Sequence, residues 1–395
     1  MEKTILIKRK YANEIKSGNP LIPKDALVDP SALKEEGELI RLLDEQRQFI
    51  GLGYYGRQNK GAGWVLTHKE GEPIDQAFFD KKLKTALSYR KQLFESADTT
   101  AFRVFNGEGD GIGGLTIDVF NGYFLLTWYS KGIYQFRTAI LNALKKYAEP
   151  AGIYQKKRFD TKGQVVDEDS YVEGEQPEFP LIVKENGVKF AVYLNDGAMV
   201  GVFLDQREVR KAIRDKYAQG RTMLNLFSYT GAFSVYAALG GAVKTTSVDL
   251  ANRSMSKTIE QFSINGIDYE AQDIIVEDVF HYFKYAVKKK LKFDMVVLDP
   301  PSFARSKKVT FSAAKDYKDL LKDAVELTSD KGVIVASTNC STFSMKKFKG
   351  FIDAAFKERG ESYRILEEYS LPYDFKTIKE FKEGNYLKVV FIEKR

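Results

Sequence analysis

A single cysteine occurs in the 395 residues: Cys340, in the stretch STNCST (337–342), directly after the apolar run GVIVAS (332–337). A free cysteine packs as a small buried hydrophobe, and it can equally serve as a thiolate nucleophile. Its surroundings weigh between the two. Other residues able to do chemistry stand in the same relation to apolar runs. SYTGAFS (228–234), with Gly231, follows TMLNLF (222–227), and Asp249 follows VKTTSV (243–248). Glu277 and Asp278 follow DIIV (273–276), and Asp299-Pro300-Pro301-Ser302-Phe303 follows FDMVVL (293–298). Each is weak by itself, since a strand-end aspartate is often only a helix cap and a glycine often turns a strand into a helix. Five such ends in succession, four of them acidic or nucleophilic, are far harder to obtain by accident.

The chemistry open to these residues can be stated. An acid at the end of a second strand, 18 residues past Gly231, is placed to bind ribose hydroxyls. Pro300 and Pro301 stiffen the backbone behind Asp299, so its carboxylate stays aimed, and Phe303 can stack on a base. The plain alternative is a rigid turn after a buried strand. A thiolate at Cys340 could add to carbon 6 of a pyrimidine, which makes carbon 5 nucleophilic, and it could leave after a base removes the carbon 5 proton. Nearby cations lower a thiol's pKa. ARSKK (304–308) follows the DPPSF loop and MKKFK (345–349) follows the cysteine. Lys307, Lys308, Lys346, Lys347 and Lys349 could therefore hold phosphates or bias the thiol, against the plain reading of a solvated helix face. KKKLK (288–292) precedes a strand, at the opposite edge, and is assigned no role.

These residues need a scaffold that lines up strand ends. From about residue 190, strand-like runs alternate with stretches of helical length, the pattern of an open, mostly parallel α/β sheet. Ligands bind such sheets at the carboxyl ends of the strands. Upstream, residues 1–75 read as short strands broken by glycines, a small barrel-like module. FDKKLKTALSYRKQLFES (79–96) and YQFRTAILNALKKYAE (134–149) are expected helices, and FRVFNGEGDGIGGLTIDVFNGYFLLTWYS (102–130) is expected to form hairpins. The polar, acidic 161–180 stretch reads as a loop or hairpin tip. The expected domains are 1–75, 76–190 and 191–395.

Composition bounds the partners. One cysteine excludes an internal disulfide and a Cys-rich zinc site, and two histidines argue against a His-built metal site, so no metal is expected. The N-terminus lacks a signal-peptide apolar core and no run of ~18 apolar residues exists, so the expectation is a soluble, cytoplasmic protein with no membrane partner. The net charge is +7, which permits a nucleic-acid partner. Residues 191–395 carry 33 Lys+Arg against 27 Asp+Glu, while residues 1–75 carry 12 of each. In that neutral module, Lys8-Arg9-Lys10 and Arg57 with Tyr54, Tyr55 and Trp64 could still contact RNA; alternatively the aromatics form the core.

A nicotinamide enzyme would show G-x-G-x-x-G after the first strand, which SYTGAFS lacks. The set resembles instead an S-adenosylmethionine-dependent methyltransferase of the Rossmann-like class. That resemblance implies that the SYTGAF turn faces the methionine part, Asp249 the ribose, Asp278 the adenine amine and the Asp299 loop the reacting centre. DPPSF resembles the Asp/Asn-Pro-Pro-aromatic loop of methylases acting on planar nitrogen groups. With VGVFLDQRE (200–208), MLNLFSYTGAFSVYAA (223–238), FRVFNGEGDGIGGLTIDVF and GYYGRQNKGAGW (53–64), the chain resembles bacterial large-subunit ribosomal RNA methyltransferases of the methyltransferase I type. Their pattern implies an N-terminal PUA module, a central hairpin-rich domain and a Rossmann-like catalytic domain that forms 5-methylcytosine. The cofactor implied is S-adenosyl-L-methionine, with S-adenosyl-L-homocysteine as product, and the partner is ribosomal RNA; the protein would be a monomer or homodimer.

The same resemblance implies Cys340 and Asp299 as catalytic residues. Cofactor contacts would come from Arg207, Phe227, Ser228, Tyr229, Gly231, Ala232, Asp249, Leu250, Asp278, Val279, Asp299 and Pro300. Substrate contacts would come from Pro301, Phe303, Lys307 and Lys346. The chain departs from the family at Val200-Gly201-Val202-Phe203, where Thr-Gly-Phe-Phe is common, and at Asn339-Cys340-Ser341, where Ser-Cys-Ser is frequent. Ser302 stands where many RNA cytosine-5 methylases have a second cysteine. Rival readings are an RNA methylase acting on an exocyclic amine or ring nitrogen, with Cys340 as packing, a small-molecule or protein methyltransferase, and a non-catalytic ribosome-assembly factor.

Overall fold

The apolar runs are strands of one sheet. The computed structural model describes residues 2–58, 61–159, 170–196, 200–305 and 310–395. Strands β1 (Thr222–Leu226), β2 (Lys244–Asp249), β3 (Asp273–Val276), β4 (Phe293–Leu298) and β5 (Thr328–Thr338) pair in parallel. Two further strands, β6 (Tyr363–Tyr369) and β7 (Lys388–Lys394), complete the order 3-2-1-4-5-7-6, with β7 antiparallel to both neighbours. Helices α1 (Ala232–Leu239), α2 (Arg253–Ile264), α3 (Val279–Lys288), α4 (Ala313–Leu327) and α5 (Met345–Arg359) connect them.

Alternation along the strands divides the core into two layers. Leu224, Val296, Ile334 and Val390 enter one cluster with apolar residues of α3, α4 and α5. Met223, Val297, Val335 and Val389 enter the other with Phe233 and Ala237 of α1. Burial of these two apolar faces is the main term holding the sheet between its helices. The strand order reverses between β1 and β4, so their carboxyl ends border the crevice where such sheets bind ligands.

The chain forms two compact units. The sheet just described lies in the one made of Lys184–Val192, Gly201–Pro372 and Asn385–Arg395. Residues 184–192 belong there because buried Arg210 grips both oxygens of buried Glu185 at 2.7 Å.

The other unit comprises Met1–Val183, Tyr193–Val200 and Tyr373–Gly384. It holds a five-stranded sheet in the order Lys3–Leu6, Leu39–Leu43, Phe49–Tyr55, Gly61–Thr67, Leu21–Pro23. A second five-stranded sheet contains the expected hairpin strands Ala101–Asn106, Leu115–Phe120 and Tyr123–Trp128. Helices Gln76–Tyr89 and Arg137–Ala148 accompany it. Tyr54 and Trp64 share one apolar cluster with Phe79, Phe105, Ile117 and Trp128, and the Tyr54 hydroxyl donates to the Gly113 carbonyl at 2.7 Å. Tyr54 and Trp64 are therefore core residues; the reading of them as exposed base-stacking aromatics is overturned. Arg57 is exposed, beside Glu36.

Candidate active site

The turn after β1 is laced onto β2. Phe227, Tyr229 and Gly231 all have left-handed backbone, at φ 59°, 54° and 76°. The Ser228 N–H donates to the Val248 carbonyl at 3.1 Å, and the Tyr229 N–H donates to Asp249 Oδ2 at 2.8 Å. A Cβ on Gly231 would stand 2.6 Å from Thr258 Cγ2, so both conformation and space require glycine there. Helix α1 starts at Ala232 with no side chain capping its first N–H groups, which leaves donors at the crevice.

Asp249 and Asp278 both do local work. Asp249 Oδ1 accepts from the Ala251 N–H at 2.9 Å while Oδ2 holds the turn. Asp278 caps α3, with Oδ1 accepting from the Phe280 and His281 N–H groups at 2.9 and 3.3 Å. The helix-cap reading is thus correct for Asp278. It does not exhaust either carboxylate, since each ionised carboxylate has about four acceptor sites. Val279 is buried behind the cap and Leu250 is exposed beside Asp249.

Asp299 ends β4 in a polar recess. Its Oδ2 accepts from Gln206 Nε2 at 2.8 Å, and the Ser337 hydroxyl donates to Gln206 Oε1 at 3.2 Å. Burial lifts its pKa to about 6, opposed by hydrogen bonds from Ser337 and Gln206 and helped by the Asp205 charge. Pro300 is buried and Pro301 exposed, and Phe303 opens a short hairpin (Phe303–Arg305 with Thr310–Ser312) with its ring at the surface. The buried Tyr317 hydroxyl on α4 lies 2.8 Å from the Ser337 carbonyl and 3.3 Å from that of Leu298, pinning the ends of β5 and β4 together.

Cys340 lies two residues beyond β5 and is buried in the core cluster with Phe343 and Phe348. Its N–H donates to Thr338 Oγ1 and its Sγ is 3.2 Å from Thr342 Oγ1. The Ser302 hydroxyl donates to Asn339 Oδ1 at 2.5 Å, so the DPPSF loop and the cysteine loop are joined directly.

The segment 201–207 covers these ends. Thr230 Oγ1 donates to the Gly201 carbonyl, Phe203 packs on Tyr229 with ring centroids 5.2 Å apart, and Tyr386 donates to Asp205 Oδ2 at 2.9 Å. Arg207 is buried with its Nε on Glu208. Lys346 is exposed in the first turn of α5, Lys349 pairs with Glu368, and Lys307 and Lys308 lie outside the described residues.

Sequence reasoning passed over Lys388, buried on β7, whose Nζ donates to the Cys340 carbonyl at 3.0 Å. The signal was a lysine opening the apolar run VVFI (389–392). Tyr317, Ser337 and Tyr386 carried no comparable signal. Among the described residues no group of three or more His, Cys, Asp or Glu could hold a metal ion, and no helix is long and apolar enough to cross a membrane.

Comparison with known proteins adds to this geometry. Residues 103–378 match an S-adenosylmethionine-dependent methyltransferase family, and residues 5–68 match a PUA-like domain. Over 395 residues, all of both chains, the sequence is 62% identical to YwbD of Bacillus subtilis (strain 168), provisionally named a ribosomal RNA large subunit methyltransferase. It is 32% identical to Ribosomal RNA large subunit methyltransferase I of Klebsiella pneumoniae over 354 residues, 89% of this chain and 88% of that one. A provisionally assigned methyltransferase solved in complex with SAH is similar at a TM-score of 0.91 and 37% identity, covering 99% of this chain and 100% of that one.

Proposed function

The chain belongs to the S-adenosylmethionine-dependent methyltransferases, in the family of bacterial ribosomal RNA large subunit methyltransferases, and from there we propose that it methylates carbon 5 of a cytosine in large-subunit ribosomal RNA through a transient bond to Cys340. The observation that carries the cytosine assignment is the joining of the Asp299 and Cys340 loops at adjacent strand ends, through Ser302 and Asn339.

The residues fit the cofactor. The left-handed turn 227–231 and the uncapped start of α1 offer N–H donors for a carboxylate. Asp249 keeps acceptor capacity for ribose hydroxyls and Asp278 for the adenine amine. When bound, S-adenosyl-L-methionine supplies an electrophilic methyl group. Arg207, Leu250, Val279 and Pro300 complete the proposed cofactor surroundings, and Pro301, Phe303 and Lys346 the substrate side.

Cys340 Sγ forms a bond to carbon 6 of the base, and the displaced electron pair moves toward N3. Asp299, with its pKa lifted to about 6, can carry a proton near neutrality and donate it toward N3 as that charge develops. Carbon 5 is then an enamine carbon. After methylation N3 returns its proton to Asp299, a base takes the carbon 5 proton, the freed electron pair restores the carbon 5–carbon 6 double bond, the carbon 6–sulfur bond breaks and Cys340 returns as thiolate. Ser302 occupies the position where a second cysteine would assist release, so the proton goes to another base.

The burial of Cys340 against Phe343 and Phe348 favours a second reading, in which the cysteine only packs and the DPPSF loop directs methylation of an amine or ring nitrogen. Methyl transfer to unmodified large-subunit RNA, followed by nucleoside mass spectrometry, separates the two. The cytosine reading expects 5-methylcytosine from wild type and none from a Cys340→Ala chain that still binds cofactor. A methylated purine, or an active Cys340→Ala chain, overturns it.

A further inference from the structure

Strand β7 places two buried lysines on the same face of the sheet, with Val390 and Ile392 between them in the cluster that contains Cys340. Lys394 is neutralised by Glu361 at 2.9 Å. Lys388 is different. Its Nζ donates to the carbonyls of Cys340 and Tyr386 at 3.0 and 2.8 Å and lies 5.4 Å from the centre of the Phe343 ring. Among the described residues no carboxylate pairs with it. A buried ammonium without a counter-ion is strongly unfavourable, and the thiol of Cys340, the residue whose carbonyl Lys388 holds, is a group that can become an anion there.

We propose that Lys388 is the positioning residue of the nucleophile, serving as the counter-ion that holds Cys340 as a thiolate and fixing its loop through the Cys340 carbonyl. The proton released from the thiol goes to solvent, and Lys388 stays an ammonium throughout. Two of its three N–H bonds go to the carbonyls, leaving one for charge stabilisation. The Thr342 hydroxyl, 3.2 Å from Sγ, can donate a hydrogen bond to the thiolate. Burial pulls the Lys388 pKa down, and a negative charge at Cys340 would oppose that pull.

Other titratable groups border this edge. Asp299 stands just past β4, beside the end of β5. Asp205 is engaged by Tyr386, Tyr317 of α4 is buried and tied to the ends of β4 and β5, and Lys346 and Lys347 sit on the first turn of α5. None of these replaces the Lys388 contact with the cysteine's own backbone. The proposal gives Cys340 the purpose assigned to it above, but its test needs neither RNA nor cofactor, so the two stand or fall separately.

Because the chain has one cysteine, alkylation by iodoacetamide reads out as a single mass increment. The rate against pH should give a midpoint below the ~8.5 of an ordinary thiol for wild type. Lys388→Met should raise it by about one pH unit or more, roughly a tenfold loss of thiolate at neutral pH, and Lys388→Arg should restore most of the shift. A wild-type midpoint at or above the ordinary value, a thiol unreactive across the range, or a folded Lys388→Met chain with an unchanged midpoint overturns the proposal. The wild-type profile alone decides if Lys388→Met fails to fold.

Discussion

Asp299 sits where its charge is unfavourable and its chemistry is wanted. Burial lifts its pKa from 3.8 to about 6, so the folded chain keeps a proton that the unfolded chain has released. Folding therefore takes up a proton between those values, and stability falls as pH rises through that window. Asp299→Asn removes the ionising group while keeping an acceptor for Gln206. It should be more stable than wild type at pH 7, by about 3 kcal/mol. The gap should close as pH falls from about 6 toward 4. Methyl transfer should fall at least tenfold, because an amide cannot give up a proton toward N3. Urea titrations at several pH values and a methylation assay check both halves. Stability and activity moving in the same direction would count against the role given to Asp299. At this scale it was position that the sequence made legible: Asp249, Asp278, Asp299 and Cys340 were expected after apolar runs, and each lies at or within two residues of a strand end. Lys388 was not, because its role depends on a pairing across 48 residues.

At the scale of elements, the site is a property of strand ends held in register. Leu298 of β4 pairs with Ala336 of β5, which brings Asp299 level with Ser337. The Tyr317 hydroxyl on α4 bonds both strand ends. Tyr317→Phe keeps the ring against Phe348 and deletes the hydroxyl, leaving buried carbonyls short of a donor. The expected cost is about 1–3 kcal/mol of stability, with a larger loss in kcat than in RNA affinity, since the two loops are loosened relative to each other. Thermal melts and steady-state kinetics test this, and unchanged kcat would show that Tyr317 only packs. The expected helix over 79–96 is two, Gln76–Tyr89 and Lys91–Phe94, broken at Arg90. Strand β6 was unreadable because YRILEEY is polar and only half-buried, as edge strands are.

At the scale of the whole molecule, chain order and compact units do not coincide. Residues 373–384 stand between β6 and β7 in sequence yet belong with the N-terminal unit. Fully buried Arg90 explains that membership: it pairs with Asp110 at 2.7 Å and donates to the Asp374 carbonyl at 2.6 Å. Removing one partner of a buried pair leaves the other charge uncompensated, so Arg90→Met should destabilise this unit by about 3–5 kcal/mol. Both tryptophans, Trp64 and Trp128, lie in this unit, so their fluorescence during urea unfolding reports on it alone. An unchanged midpoint would mean that Arg90 is not what secures the segment.

The sequence by itself determined the period of the elements, the parallel sheet and the identity of most strand-end residues, because these follow from local alternation and from turn chemistry. It also carried the resemblance to the family on short motifs. Only the tertiary structure decided which residues share a site. Tyr54 and Trp64 proved to be core because a second sheet covers them, a fact no window around them contains. Lys388 faces Cys340 because β7 inserts antiparallel between β5 and β6, pairing Thr338 with Lys388. Burial and long-range pairing set the charge state of a side chain, and both are sums over residues far apart in the chain.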